Sequence, residues 1–134
     1  MLKVLVVDDS LIIRKKITKL VTQLDHEVVH GAKNGQEAID SYNSMKPDLV
    51  TMDITMPDMD GIEAVTHIIK EDPEAKIIMV TSHGQEDMVI KSIKAGAVGY
   101  MLKPVTQDKL AVAIGEVYEE YAVDEDDDLD ILDD

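Results

Sequence analysis

The chain has 134 residues, 45% hydrophobic and 31% charged, which suits one soluble globular domain with room for a proper core. It contains no cysteine, so disulfides, thiolate metal sites and cysteine nucleophiles are excluded. A formal net charge of −15 and an aromatic content of only 3%, with no Trp or Phe, argue against binding nucleic-acid phosphates or stacking bases.

Taken in chain order, Lys3–Val7 is nearly all apolar, as a strand buried on both faces should be. Helical spacing over 10–23 puts Ile13, Ile17, Leu20, Val21 and the adjoining Leu24 on one face, with Asp9 or Ser10 placed to cap the start. Arg14, Lys15 and Lys16 read as the solvated side of that helix. A shorter strand is expected over 27–30, then an Asn34-Gly35 turn into a helix carrying Ala38, Ile39 and Tyr42. The third strand, 49–52, ends at Asp53, and the Pro, Asp and Gly content of 56–61 marks a loop. The helix after it turns Ile62, Val65, Ile68 and Ile69 inward. Ile77–Thr81 is the fourth strand, and 85–95 the fourth helix with Gly96 as C-cap. Gly99–Leu102 is the fifth strand, closed by Lys103-Pro104, and the last helix buries Leu110, Ala113, Ile114 and Val117. His26, His30, His67 and His83 have no metal-ligand spacing and are expected at the surface or at edges; the eight Met residues read as core filler.

Five βα units in succession specify a parallel sheet with right-handed crossovers and helices on both faces. Ligands of such sheets sit beyond the carboxyl ends of the strands. Those ends carry Asp8 and Asp9, Asp53, Thr81 and Ser82, and Lys103. Carboxylates brought within a few ångströms repel by roughly 4 kcal/mol per pair at an effective dielectric of about 20, so a cation must offset them. Lys103 supplies one charge, and a hard divalent ion such as Mg²⁺, which takes a few carboxylates and bridges to phosphoryl groups, supplies more. The set suits phosphoryl transfer to a carboxylate. Asp53 would be the nucleophile, Asp8 and Asp9 would hold the metal, and Thr81 and Lys103 would contact the phosphoryl oxygens.

Val6-Val7-Asp8-Asp9-Ser10, the run Asp48-Leu49-Val50-Thr51-Met52-Asp53-Ile54-Thr55-Met56-Pro57, Asp60-Gly61, Val80-Thr81-Ser82, Ala95-Gly96-Ala97 and Lys103-Pro104 occur in that order. In these pieces the chain resembles the receiver domains of two-component response regulators, especially stand-alone CheY-like chemotaxis regulators, from Leu2 to about Tyr121. The resemblance implies a flavodoxin-like, doubly wound (βα)5 fold whose five-stranded parallel sheet has the order 2-1-3-4-5. It implies that Asp53 accepts phosphate from a histidine kinase, a phosphotransfer protein or a small acyl phosphate. Mg²⁺ (or Mn²⁺) would be held by Asp9, Asp53 and the backbone carbonyl of Thr55, with Asp8 acting mainly through water. Thr81 and Tyr100 match the family's switch pair, whose hydroxyl moves toward the phosphoryl group while the ring turns inward. The surface so remodelled, helix 4–strand 5–helix 5, would meet a target such as a flagellar motor switch protein, and a phosphatase is a further partner. Thr55 and His83 take the positions lining the path of hydrolytic water. Enterobacterial chemotaxis regulators place Asn and Glu there, so no rate of self-dephosphorylation carries over; Thr two places after the Asp is similar to Gram-positive and archaeal regulators.

Two other readings stay open on the sequence: a phospho-shuttle between kinases and phosphotransfer proteins, and a haloacid-dehalogenase-like phosphatase. The latter wants a second Asp where Thr55 stands. No turnover of an external substrate is expected. Residues 1–121 form the expected receiver domain and 122–134 an acidic tail, with eight acids and no base over 124–134. That tail reads as a disordered extension, or, through Leu129, Ile131 and Leu132 among acids, as a docking segment. The start lacks the apolar stretch of a signal peptide and no run is long enough to cross a bilayer, so a cytoplasmic location without membrane insertion is expected.

Overall fold

The computed structural model describes residues 1–123. Strands β1 (Lys3–Val7), β2 (Glu27–Ala32), β3 (Leu49–Asp53), β4 (Ile77–Thr81) and β5 (Gly99–Leu102) alternate with helices α1 (Leu11–Gln23), α2 (Gly35–Met45), α3 (Gly61–Glu71), α4 (Glu86–Ala95) and α5 (Gln107–Val117). A 3-10 turn, Glu119–Tyr121, follows α5. All five strands are parallel in the order β2-β1-β3-β4-β5, as expected for a flavodoxin-like sheet.

The apolar strand runs have a simple physical consequence. Every residue of β3 and of β4 is buried, because helices cover both faces of the sheet. With side chains alternating between faces, Leu5, Val7, Val50, Met52, Ile77 and Met79 pack against α2, α3 and α4. Val4, Val6, Leu49, Ile78 and Val80 pack instead against Ile17 and Val21 of α1 and against Leu110 and Ile114 of α5. Four helix starts, those of α1, α2, α3 and α5, are capped by side chains: Ser10, Asn34, Asp60 and Thr106 accept from the backbone N–H three residues on. Ser10, not Asp9, caps α1.

Several local expectations need correction. Strand β2 runs two residues further than 27–30, since Gly31 and Ala32 go on pairing with Val6 and Val7. His26 is buried rather than at the surface: its Nδ1 accepts the Leu2 N–H at 3.0 Å, and its ring stands edge-on to Tyr121 at 4.6 Å. Burial, followed by the nearby N-terminal charge, holds its pKa below the ordinary value, as a ring nitrogen acting as acceptor requires. Arg14 is not simply solvated, because its Nη1 donates to the Asp8 carbonyl at 2.6 Å. Of the methionines, Met52, Met56, Met79 and Met101 are core residues, whereas Met1 and Met45 are exposed. No helix among the described residues is long and apolar enough to cross a membrane. Of the expected acidic tail, 122–134, residues 124–134 lie outside the described part of the chain.

Candidate functional site

Strand order reverses beside β1, whose neighbours are β2 on one side and β3 on the other, so the carboxyl ends of β1 and β3 open a crevice. Backbone hydrogen bonds lock the rim. Asp8 N donates to Ala32 O at 3.0 Å, Ile54 N to Val80 O at 3.2 Å, and Lys103 N to Thr81 O at 2.7 Å. Residues separated by as many as 95 positions thereby share one edge.

Asp8, Asp9 and Asp53 each offer a carboxylate oxygen within 4.8 Å of the other two. Asp8 and Asp53 are buried, whereas Asp9 is exposed. Lys103 reaches in from the end of β5, with Nζ 3.2 Å from Asp53 Oδ1 and 3.3 Å from Asp8 Oδ2. One cation thus bridges two buried carboxylates. Burial and the facing Asp8 charge push the Asp53 pKa up to about 6, even though Lys103 pulls the other way. Burial works against the charge of Lys103, but Asp53 and Asp8 outweigh it and hold the ammonium above its ordinary pKa. The site therefore carries more negative charge than its lysine balances.

Asp8 Oδ2 is buried, and among the described residues the one group of opposite charge against it is Lys103, with Nζ at 3.3 Å. A buried carboxylate oxygen beside two more carboxylates is the donor set a hard divalent cation takes, so the residues present fit Mg²⁺ or Mn²⁺. The approach to Asp53 is kept tight by Gly61. Its N–H donates to Ile54 O at 2.7 Å, and a Cβ there would collide with the Asp53 carbonyl.

Thr81 is buried at the end of β4, and its hydroxyl donates to Gln85 Oε1 at 2.7 Å. Thr55 and His83 are both exposed on the loops beside the site. Tyr100 lies on β5 with 53% of its surface exposed, its ring outward. It borders a cleft between α4 and β5 that Thr81, Gln85, Val89, Ile90 and Leu102 also line. The carboxylates and Lys103 thus come together as the strand ends imply, with Thr81 and Tyr100 on one neighbouring cleft. The sequence carries no signal that singles out Gln85, and the solvated reading of Arg14 misses its bond to the Asp8 carbonyl. Gln85 stands four residues after Thr81 at a helix start, a polar position that looked like ordinary helix surface.

The receiver domain of response regulators, as a family profile, matches residues 4–115. The chain is 47% identical over 114 residues to the chemotaxis protein CheY of Listeria monocytogenes, covering 85% of this chain and 96% of that protein. It is 45% identical over 115 residues to the chemotaxis protein CheY of Thermotoga maritima, covering 86% and 96%. Among solved structures, a chain of the CheX–CheY–BeF3–Mg²⁺ complex from Borrelia burgdorferi superposes with a TM-score of 0.83 at 34% identity, over 87% of this chain and 88% of that one. Profile, relatives and sheet order agree, and the chain belongs to the response regulator receiver domain family.

Proposed function

We propose that this protein is a phosphorylation-activated switch of a two-component chemotaxis system, with Asp53 as its phosphoacceptor. The observation that carries the reading is the bridge from Lys103 to both Asp8 and Asp53 at the strand ends, within a cluster of three carboxylates. Relatives named chemotaxis protein CheY support the pathway.

In the forward step an Asp53 oxygen attacks phosphorus. The new O–P bond forms as the P–N bond of a phosphohistidine, or the P–O bond of an acyl phosphate, breaks, and the leaving imidazole takes up a proton. Lys103 stands where it can neutralise phosphoryl oxygens, and the Thr81 hydroxyl can donate to one of them. Asp9, Asp53 and the Thr55 carbonyl would hold Mg²⁺ (or Mn²⁺), with Asp8 acting through water. The ion supplies charge neutralisation for the phosphoryl group. Loss of phosphate is attack of water at phosphorus with Asp53 leaving, along a path beside Thr55 and His83.

Binding of Thr81 to the phosphoryl group would let the Tyr100 ring turn into the cleft beside it. Ile90, Ile93, Val98, Tyr100 and Val112 are exposed on α4, β5, α5 and their connections, a face suited to a protein target such as a motor switch component. The kinase, a phosphotransfer protein and a phosphatase are the other partners. We place the receiver domain in residues 1–121 and the cellular location in the cytoplasm, with no turnover of an external substrate. Incubation with a radiolabelled, histidine-phosphorylated chemotaxis kinase and Mg²⁺ should transfer label to this chain as a base-labile acyl phosphate. Label that stays on the kinase would contradict the reading.

A further inference from the structure

The hydrogen bonds around Gln85 bear on the switch that Thr81 and Asp53 would form. Gln85 Oε1 accepts both from Thr81 Oγ1, at 2.7 Å, and from the Ser82 backbone N–H, at 2.8 Å. Its Nε2 donates to Thr55 Oγ1 at 2.8 Å. The Ser82 N–H can only donate, which fixes the carbonyl end of the amide toward β4 and the amino end toward Thr55. One side chain therefore ties the loop after β4 to the loop after β3, two residues beyond Asp53.

A hydroxyl carries one proton. The Ser82 carbonyl lies 3.4 Å from Thr81 Oγ1, a poor second acceptor, so that proton is committed to Gln85. A phosphoryl oxygen on Asp53 that is to receive the Thr81 proton must take it from Gln85. Gly84, immediately before Gln85, sits at φ +89 with open space around it, so the loop has room to rearrange when the bond breaks.

We propose that Gln85 is a positioning residue that holds the Thr81 hydroxyl in the unphosphorylated arrangement and competes with the phosphoryl group for it. The inference rests on the phosphoacceptor reading of Asp53. Because the bond exists in one state only, its removal favours the other. A hydrogen bond of ordinary net strength corresponds to a population shift of about 3- to 10-fold.

Calorimetric titration with beryllofluoride, a phosphoryl mimic, at saturating Mg²⁺ tests this on the full chain. Gln85→Met keeps the side-chain bulk and removes all three hydrogen bonds; Gln85→Ala is a second variant, which lets water satisfy the Ser82 N–H. Either folded variant should bind the mimic about 3- to 10-fold more tightly than the parent. The gain should vanish in a Thr81→Ala background, where no hydroxyl is left to release. A merely structural role would not make the gain depend on Thr81. Unchanged or weaker binding by the variants, or an equal gain without Thr81, overturns the role of Gln85 while leaving Asp53 standing. Failure of the parent chain itself to bind the mimic overturns the phosphoacceptor reading and the role of Gln85 with it.

Discussion

Asp53 sits where its own charge is unwelcome. Burial and Asp8 raise its pKa to about 6 from an ordinary 3.8. Between those values the unfolded chain gives up its proton before the folded one does, so this residue's contribution to stability falls as pH rises through the window. Above it, the ionised carboxylate costs the metal-free fold about 3 kcal/mol at most. Asp53→Asn should therefore melt higher than the parent in chelator at neutral pH, with the difference shrinking at about pH 4. Thermal melts check this, and a variant that melts lower at neutral pH would contradict it. Mg²⁺ should raise the melting temperature of the parent and do much less for Asp53→Asn, because the ion offsets the carboxylate repulsion that the variant has lost. Lys103→Met removes the attraction that pulls the Asp53 pKa down, so a carboxyl NMR titration should find it higher still. The acidic trio and Lys103 were legible in the sequence because each ends a strand. Gln85 was not, since its role depends on the rotamer of one amide between two loops.

At the scale of elements, the site depends on how closely the loop after β3 returns to its own strand. Gly61 opens α3, and its missing Cβ leaves space for the Asp53 carbonyl. Gly61→Ala must push that loop outward, at a cost of about 1–3 kcal/mol, the usual range for overpacking. Denaturant unfolding should show the loss, and labelling of Asp53 by acetyl phosphate should slow in parallel; an unchanged variant would mean that the loop shifts freely. Strands β1, β3 and β4 were legible because doubly covered parallel strands read as unbroken apolar runs. The length of β2 was less so, since Gly31-Ala32 has little strand propensity and is held in place by pairing with β1. Arg14 was misjudged for a related reason. A basic run on a helix looks solvated until the strand end beneath it offers a carbonyl.

For the whole molecule, βα alternation together with right-handed crossovers leaves few topologies, which is why the sheet could be anticipated from sequence. The packing of the N-terminus and Tyr121 around His26 could not be, because it joins residues far apart in sequence. The last described element ends at Tyr121 and the family match at residue 115. A chain shortened to residues 1–123 keeps the whole of that family match, so Mg²⁺-dependent labelling of Asp53 should persist in it; loss of labelling would contradict this. The central claim is that one carboxylate, Asp53, accepts the phosphoryl group under the charge of Lys103 and a divalent ion. Intact-mass spectrometry after incubation with acetyl phosphate and Mg²⁺ tests it most directly. A single added phosphoryl group that requires the metal and is absent from Asp53→Asn is the predicted result; equal labelling of Asp53→Asn would contradict it.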